Sequence, residues 1–372
     1  MKNQSKVTIT TIILAIIFAI VGFLAGFGFY LNSNKASSDV LSMGEISFHF
    51  MMLGNKDAGD CIYIKCGETD ILIDAGSQNS SSKSIISYVD QYVTDNTLEY
   101  VIATHADQDH ISAFYSTQTN EGIFDHYEIE VLIDFDLTNK TPTSSNPIGR
   151  YYDAREQIIS NGTIHYTASQ CFNNQDGGQR TFQISDNVEM EILYNYYYEN
   201  KFSGSDDNNY SVCLMFNQGD SHYLFTGDLE EEGEEYMVNY YADKGGLPKC
   251  VLYKAGHHGS KTSSTADLLA QIKPEYVVVC CCAGTSQYTD IKDNQFPTQD
   301  FINRVAPYTS KIYIPTMVSY YEENGEIKET YAQMNGNIVV TAMRYKVTVD
   351  CSNNNTVLKD TEWFKANRTW PE

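Results

Sequence analysis

The chain has 372 residues, 42% hydrophobic and 20% charged, enough for one large domain or two ordinary ones with a well-buried core, which excludes a disordered protein. Its 48 acidic against 25 basic residues give a formal charge of -23 and a pI near 4.6. A field of that sign repels polyanions, so nucleic-acid binding needs a local basic patch or a bound cation to reverse it. Tyrosine is abundant at 28 and proline scarce at 8, which suits sheet-rich structure.

Lys2 and Lys6 precede "VTITTIILAIIFAIVGFLAGFGFYL", residues 7–31, an uncharged run longer than the roughly 20 residues that cross a bilayer as a helix. A cleaved signal peptide has a shorter apolar region, roughly 7 to 15 residues, so one uncleaved N-terminal transmembrane helix is expected. Residues 1–31 then form the cytoplasmic N-terminus and the anchor, and 32–43 form a linker. The rest lies outside the cell, on a single-pass protein of the cell membrane.

From Gly44 short strands follow: "EISFHFMML", "CIYIKCG" and "TDILIDAG". Ile85, Ile86, Val89 and Val93 mark a helix, and "LEYVIATH" returns to a buried strand. The polar stretches "TNKTPTSSNPIG" and "CFNNQDGGQRTF" read as loops, with a short helix around "YYDAREQIIS". The order then repeats, with strands "NVEMEILYNYYY", "YSVCLMFNQG" and "HYLF", an acidic helix "LEEEGEEYMVNYYA", a strand "CVLYKAG" and a helix "SSTADLLAQI". Strands "YVVVCCC" and "KIYIPT" come next. Two such halves predict an α/β fold over residues 44–343, two mixed sheets facing each other with helices outside, an αββα four-layer sandwich. Residues 344–372 hold one strand, "YKVTVDCS", and a polar tail. The nine cysteines include adjacent Cys280, Cys281 and Cys282 in an apolar run and read as buried thiols.

Three groups of potential ligands each follow a predicted buried strand. "THADQDH" crowds His105, Asp107, Asp109 and His110 into six residues, a repulsion that a cation relieves. "TGD" supplies Asp228, and "GHHGS" supplies His257 and His258. Singly each has an ordinary explanation, since Asp109 and Asp228 suit helix starts and paired histidines suit a solvated loop. Together, beyond the C-terminal ends of sheet strands, they converge on one edge and can meet around an ion.

"THADQDH", "FTGDLE" and "GHHGSKTSS", in this order, resemble the metallo-β-lactamase-fold hydrolases, above all the hydrolase domain of ComEC-type competence proteins. "DAGDCIYIKCGETDILIDAG", "NNYSVCLMF" and "MNGNIVVTA" extend the resemblance from Gly44 to Ala342. It implies one or two divalent ions, zinc or manganese. His105 and Asp107 would hold one, Asp109, His110 and His258 the other, and Asp228 would bridge. Asp107 stands where the commoner pattern has histidine, and "DDNNYS" offers Asn208 or Asn209 where another histidine usually lies. These departures make the first half oxygen-rich and shift it from zinc toward manganese or magnesium. Hydrolysis by a metal-bound hydroxide is implied, with Asp109 orienting it and His257, Ser260 or Lys261 meeting substrate or developing charge. Asn208 and Ser260 are assigned to substrate binding.

A phosphodiesterase is the expected activity. The competence resemblance also allows a nuclease acting on extracellular DNA, with Lys254, Lys261 and Lys292 relieving the acidic field. A weaker similarity to phosphorylcholine esterases suggests a cell-wall substrate, with the tyrosines of "LYNYYYEN" available to a quaternary ammonium. A binding or sensing module that has lost an ion is the alternative outside enzymology. β-Lactam hydrolysis is disfavoured, because fold alone assigns no substrate.

Overall fold

Most central strands carry buried side chains on both faces, and this decides the layering, because successive residues of a strand face opposite sides of its sheet. The computed structural model describes residues 45–343 and 346–372. The expected transmembrane run lies outside these residues, and among the described ones no helix is long and apolar enough to cross a membrane.

The first strands are β1 (Ile46–Phe50), β2 (Ile62–Cys66), β3 (Thr69–Ile73), β4 (Thr97–Ala103), β5 (Glu128–Asp134) and β6 (Ile164–Thr167). Next come β7 (Thr181–Ser185), β8 (Val188–Ile192), β9 (Leu214–Gln218), β10 (Ser221–Phe225), β11 (Leu252–Lys254) and β12 (Tyr276–Val278). The last are β13 (Cys282–Ala283), β14 (Ile312–Tyr313), β15 (Thr316–Glu323), β16 (Glu326–Gln333), β17 (Ile338–Met343) and β18 (Lys346–Cys351). One sheet has the order β18-β17-β1-β2-β3-β4-β5-β6, the other β14-β12-β11-β10-β9-β8-β7, and β13-β15-β16 form a small third sheet. Strands β3 to β6 pair in parallel, as do β10 with β11, β11 with β12 and β12 with β14.

On β9 and β10, Leu214, Phe216, Tyr223 and Phe225 join the core shared with the first sheet. Their neighbours Met215 and Leu224 join a second core with Met237, Leu268, Leu269, Phe301 and Ile302 of the outer helices. Across the sandwich, the ring of Phe48 lies 4.7 Å from Tyr223, 5.5 Å from Phe225 and 5.7 Å from Phe216. Helix Ser82–Val89 buries Ile85 and Val89 on the far side of the first sheet. The acidic helix forms as Glu231–Ala242, with Glu231, Glu232 and Glu234 in its first turn, where the helix dipole favours them. Buried Glu234 accepts from the amides of Ser264 and Thr265 at 2.7 Å each, tying this helix to the segment after the paired histidines.

Several expectations needed revision. The stretch "CFNNQDGGQRTF" read as a loop begins inside helix Ala168–Asn173, which starts at a Thr167/Gln170 capping box. The run "YVVVCCC" is not one strand: β12 ends at Val278 and β13 belongs to another sheet. The β15–β16 hairpin was not foreseen, because its residues are half-buried or exposed on both faces and carry no apolar stripe. The final strand β18 pairs with β17, so the compact unit runs Glu45–Glu372. All nine cysteines are free, and all but Cys351 are buried.

Two loops grip the segment after β4. The Asp60 amide donates to Asp109 O at 3.1 Å, Ala75 N to His110 O at 2.8 Å, and Gly76 N to Asp60 O at 2.8 Å. A Cβ on Gly76 would stand 1.5 Å from Asp109 O, an approach only glycine permits. Gly76→Ala is therefore expected to destabilise the protein by more than about 2 kcal/mol, an overpacking effect. Gly67→Ala, at φ +61 with open space around it, should cost only about 1 kcal/mol. Paired chemical-denaturation curves check both.

Candidate metal centre

The residues of the site sit at strand ends that the two sheets bring to one edge. Asp60 precedes β2, Asp74 follows β3, His105, Asp109 and His110 follow β4, Asp228 follows β10, and His257 and His258 follow β11. Three of these non-glycine residues have left-handed backbones, Asp74 at φ 60, His257 at φ 42 and His258 at φ 52. Such conformations persist only where surrounding contacts over-determine them. Asp74 accepts from Thr104 N at 2.7 Å and Thr104 Oγ1 at 2.8 Å, while the histidine turn is closed by Ser260 N donating to His257 O at 2.8 Å.

Asp228 Oδ2 lies 3.1 Å from His110 Nε2 and 3.1 Å from His258 Nε2, and Asp109 Oδ2 lies 3.3 Å from His258 Nε2. Behind the imidazoles, His110 Nδ1 is 2.7 Å from Asp74 Oδ2, and His258 Nδ1 is 2.8 Å from Cys280 O and 3.3 Å from Asp60 Oδ1. Asp60, His110, Asp228 and His258 offer ligand atoms all within 4.8 Å of one another. The side of approach separates their roles. Asp60 faces the Nδ1 edges and holds the rings, whereas Asp109 and Asp228 share the Nε2 edges with whatever the site binds, as outer carboxylates do behind metal-ligating histidines.

Burial works against charge on His110 and His258, but Asp228 beside both, with Asp74 and Asp109, overrides it and holds each imidazole protonated well above its ordinary range. Burial likewise opposes charge on Asp228, yet His110, His258 and Lys254 hold its carboxyl well below the usual range. Lys254 is 1% exposed, with Nζ 2.5 Å from Asp60 Oδ2, 3.2 Å from Asp228 Oδ1 and 2.9 Å from Gly227 O. His105 differs, because burial and then the neighbouring His110 push it toward the neutral form. Its Nε2 is fully buried and has no hydrogen-bond partner. An unshared neutral imidazole nitrogen next to carboxylates is a ligand set suited to a divalent cation. The protons on His110 and His258 balance the charge that such an ion would otherwise balance.

The remaining predicted residues divide. Asp107 Oδ2 is 3.9 Å from His105 Nε2, and its Oδ1 is paired with Lys140. His257 Nδ1 is engaged by Glu230 Oε1 and Thr262 Oγ1, each at 3.1 Å. Asn208 donates to Glu230 Oε1 at 3.3 Å, and Ser260 Oγ meets Thr262 Oγ1 at 3.0 Å. Lys261 is exposed and donates to Asn294 Oδ1 at 3.1 Å, so its ammonium is bonded outside the cluster. Neither Asn208 nor Asn209 stands beside His105. Ser211 does, with Oγ 3.3 Å from His105 Nδ1 and 3.0 Å from Asp228 N. Lys254, read as a cation relieving the field for DNA, is instead a buried member of the cluster. The tyrosine group is also self-occupied, Tyr194 stacking on Tyr240 at 4.0 Å and Tyr196 on Tyr236 at 4.2 Å.

Asp60, Asp74 and Tyr288 escaped sequence reading. The signal for the two acids was an aspartate bordering an apolar strand, in "GDCIYI" and "ILIDAG". Tyr288 had none, although its hydroxyl donates to Asp109 Oδ2 at 2.6 Å from a largely exposed ring.

Residues 54–116 and 206–283, which contain all six expected ligands, match the model of the Metallo-beta-lactamase superfamily. Those segments carry the metallo-β-lactamase fold. Among curated relatives it is 36% identical over 127 residues to Competence protein ComA of Neisseria gonorrhoeae, covering 34% of this chain and 16% of that protein. It is 25% identical over 182 residues to ComE operon protein 3 of Bacillus subtilis (strain 168), covering 49% of this chain and 20% of that protein. The chain thus spans a fifth or less of these relatives, which are of the ComEC type. The metallo-beta-lactamase fold protein YhfI from Bacillus subtilis aligns over 77% of this chain and 99% of its own, with 10% identity and a TM-score of 0.40.

Within this site the outer carboxylates and the buried ammonium have separable tasks. Asp74→Asn is expected to weaken divalent-metal affinity about 10- to 100-fold with the fold retained, read by equilibrium dialysis and circular dichroism. Lys254→Met removes the buried ammonium shared by Asp60 and Asp228 and leaves the two imidazoles to balance both acids. It should destabilise the metal-free protein by about 3–5 kcal/mol in denaturation with a chelator present.

Proposed function

We propose that this chain is a membrane-tethered, metal-dependent hydrolase of phosphodiesters, with its site outside the cell. The observation that carries the reading is the meeting of His110 Nε2 and His258 Nε2 on one oxygen of Asp228, 3.1 Å from each, with Asp109 alongside. Asp109, His110, Asp228 and His258 would hold a divalent ion, and His105 Nε2 with Asp107 would face the other half of the site. Zinc or manganese bound there supplies Lewis acidity and lowers the pKa of water toward neutrality.

The chain's own residues orient and stabilise. Asp109, fixed by the Tyr288 hydroxyl, is placed to align a water and receive its proton. His257, braced by Glu230, borders the same turn as His258 and is placed to meet a leaving group. Anionic phosphoryl oxygens suit a site in which a divalent ion offsets the buried carboxylates. The apolar run at 7–31 supports the tether and the external placement.

A second reading, a nuclease acting on extracellular DNA, is favoured by the relatives named for competence and by a third, Recombination protein 2 of Haemophilus influenzae, 26% identical over 128 residues. The net charge of -23 weighs against long polyanions and for a small diester or a wall polymer. A sensing module without turnover is the third outcome.

Turnover of bis(p-nitrophenyl) phosphate by the purified protein, supplied with manganese or zinc, separates these classes, and absence of turnover in both metals favours the sensor. Asp228→Asn is expected to cost roughly a hundredfold or more in kcat/KM, about 2.7 kcal/mol, and Asp107→Asn distinctly less. Equal losses would remove Asp228 from the bridging position.

A further inference from the structure

Resting on the metal-centre reading above, the two halves of the site are unequal. The half around Asp228 Oδ2 has two imidazole nitrogens and the Asp109 carboxylate on it. The half around His105 has one free imidazole nitrogen and a serine hydroxyl, Ser211, on the other edge of that ring. Asp107 Oδ2 lies 3.9 Å from that free nitrogen, and the other oxygen of Asp107 is already paired with the Lys140 ammonium.

Lys140 is held there by a built loop. Buried Asp207 accepts from Thr138 Oγ1 at 2.6 Å and Asn139 N at 2.7 Å, and the Tyr210 hydroxyl donates to Asn139 Oδ1 at 3.0 Å. Asn139 Nδ2 donates to Gly204 O at 2.9 Å. The Lys140 ammonium also donates to Ala106 O at 3.1 Å and lies 3.8 Å from Asp207 Oδ2. Its side chain keeps 36% exposure, so it is open to a ligand in the mouth of the site. The ammonium sits on Asp107 Oδ1 and draws charge from Oδ2, the oxygen 3.9 Å from His105 Nε2, so it weakens Asp107 as a ligand and supplies one positive charge where an ion would supply two.

We propose that this chain builds a one-ion centre, in which the Lys140 ammonium occupies Asp107 and takes the place of a second metal as the cation facing the substrate's anionic oxygen. The tether to Asp207 makes this placement a property of the fold, since it fixes the residues on the N-terminal side of the lysine.

The test is a manganese titration of the full chain in detergent, with bound metal counted by equilibrium dialysis and its environment read by electron paramagnetic resonance. Wild type is expected to bind one equivalent with an isolated six-line spectrum. Lys140→Met frees Asp107 and should admit a second equivalent with a broadened, coupled spectrum, while Lys140→Arg stays at one. Two equivalents in wild type overturn the proposal without recourse to any variant, and one equivalent in folded Lys140→Met overturns the role of the lysine. No bound manganese would bring down the metal-centre reading itself, a failure distinct from a count of two.

Discussion

The structure depends on one shared atom. Asp228 Oδ2 receives an imidazole from each of two loops, one beyond β4 in the first sheet and one beyond β11 in the second. That meeting requires the two sheets to present their strand ends at the same edge, and the glycine contacts around Asp109 set how closely the loops approach. A small displacement of either sheet would separate partners whose bonding range is only about 3 Å.

The cost of this arrangement is electrostatic. Asp60, Asp74, Asp109 and Asp228 all lie within a buried cluster whose lysine is Lys254. Isolated buried carboxylates are strongly disfavoured, and they persist here because each meets a cation or a donor. Protonated His110 and His258 supply part of that balance. A divalent ion would supply it with fewer protons, which links metal binding to the same charges that hold the cluster together.

The cluster is also lopsided. The Nε2 edges of His110 and His258 converge on Asp228, whereas the side around His105 has one imidazole, the Asp107 carboxylate and the Ser211 hydroxyl. Lys140 then enters from the polar stretch "TNKTPTSSNPIG", a loop whose length in the sequence already suggests a place near a site. The unevenness comes from side chains on loops rather than from the sandwich that carries them.

Much of the frame was legible from local pattern. Short apolar-rich runs signalled strands β9 and β10, the acidic run signalled helix Glu231–Ala242, and three short motifs at strand ends signalled convergence. These features are encoded by residues near one another, so period and composition reveal them. The tertiary structure alone decided that Asp60 and Asp74 stand behind the histidines, that Lys254 is buried between two carboxylates, that Tyr288 reaches Asp109 across 179 residues, and that Lys140 claims Asp107. Each of these pairs residues far apart in the chain, or turns a common charged side chain inward. No local spacing records such an event, because it is set by how two sheets and their loops close on one another.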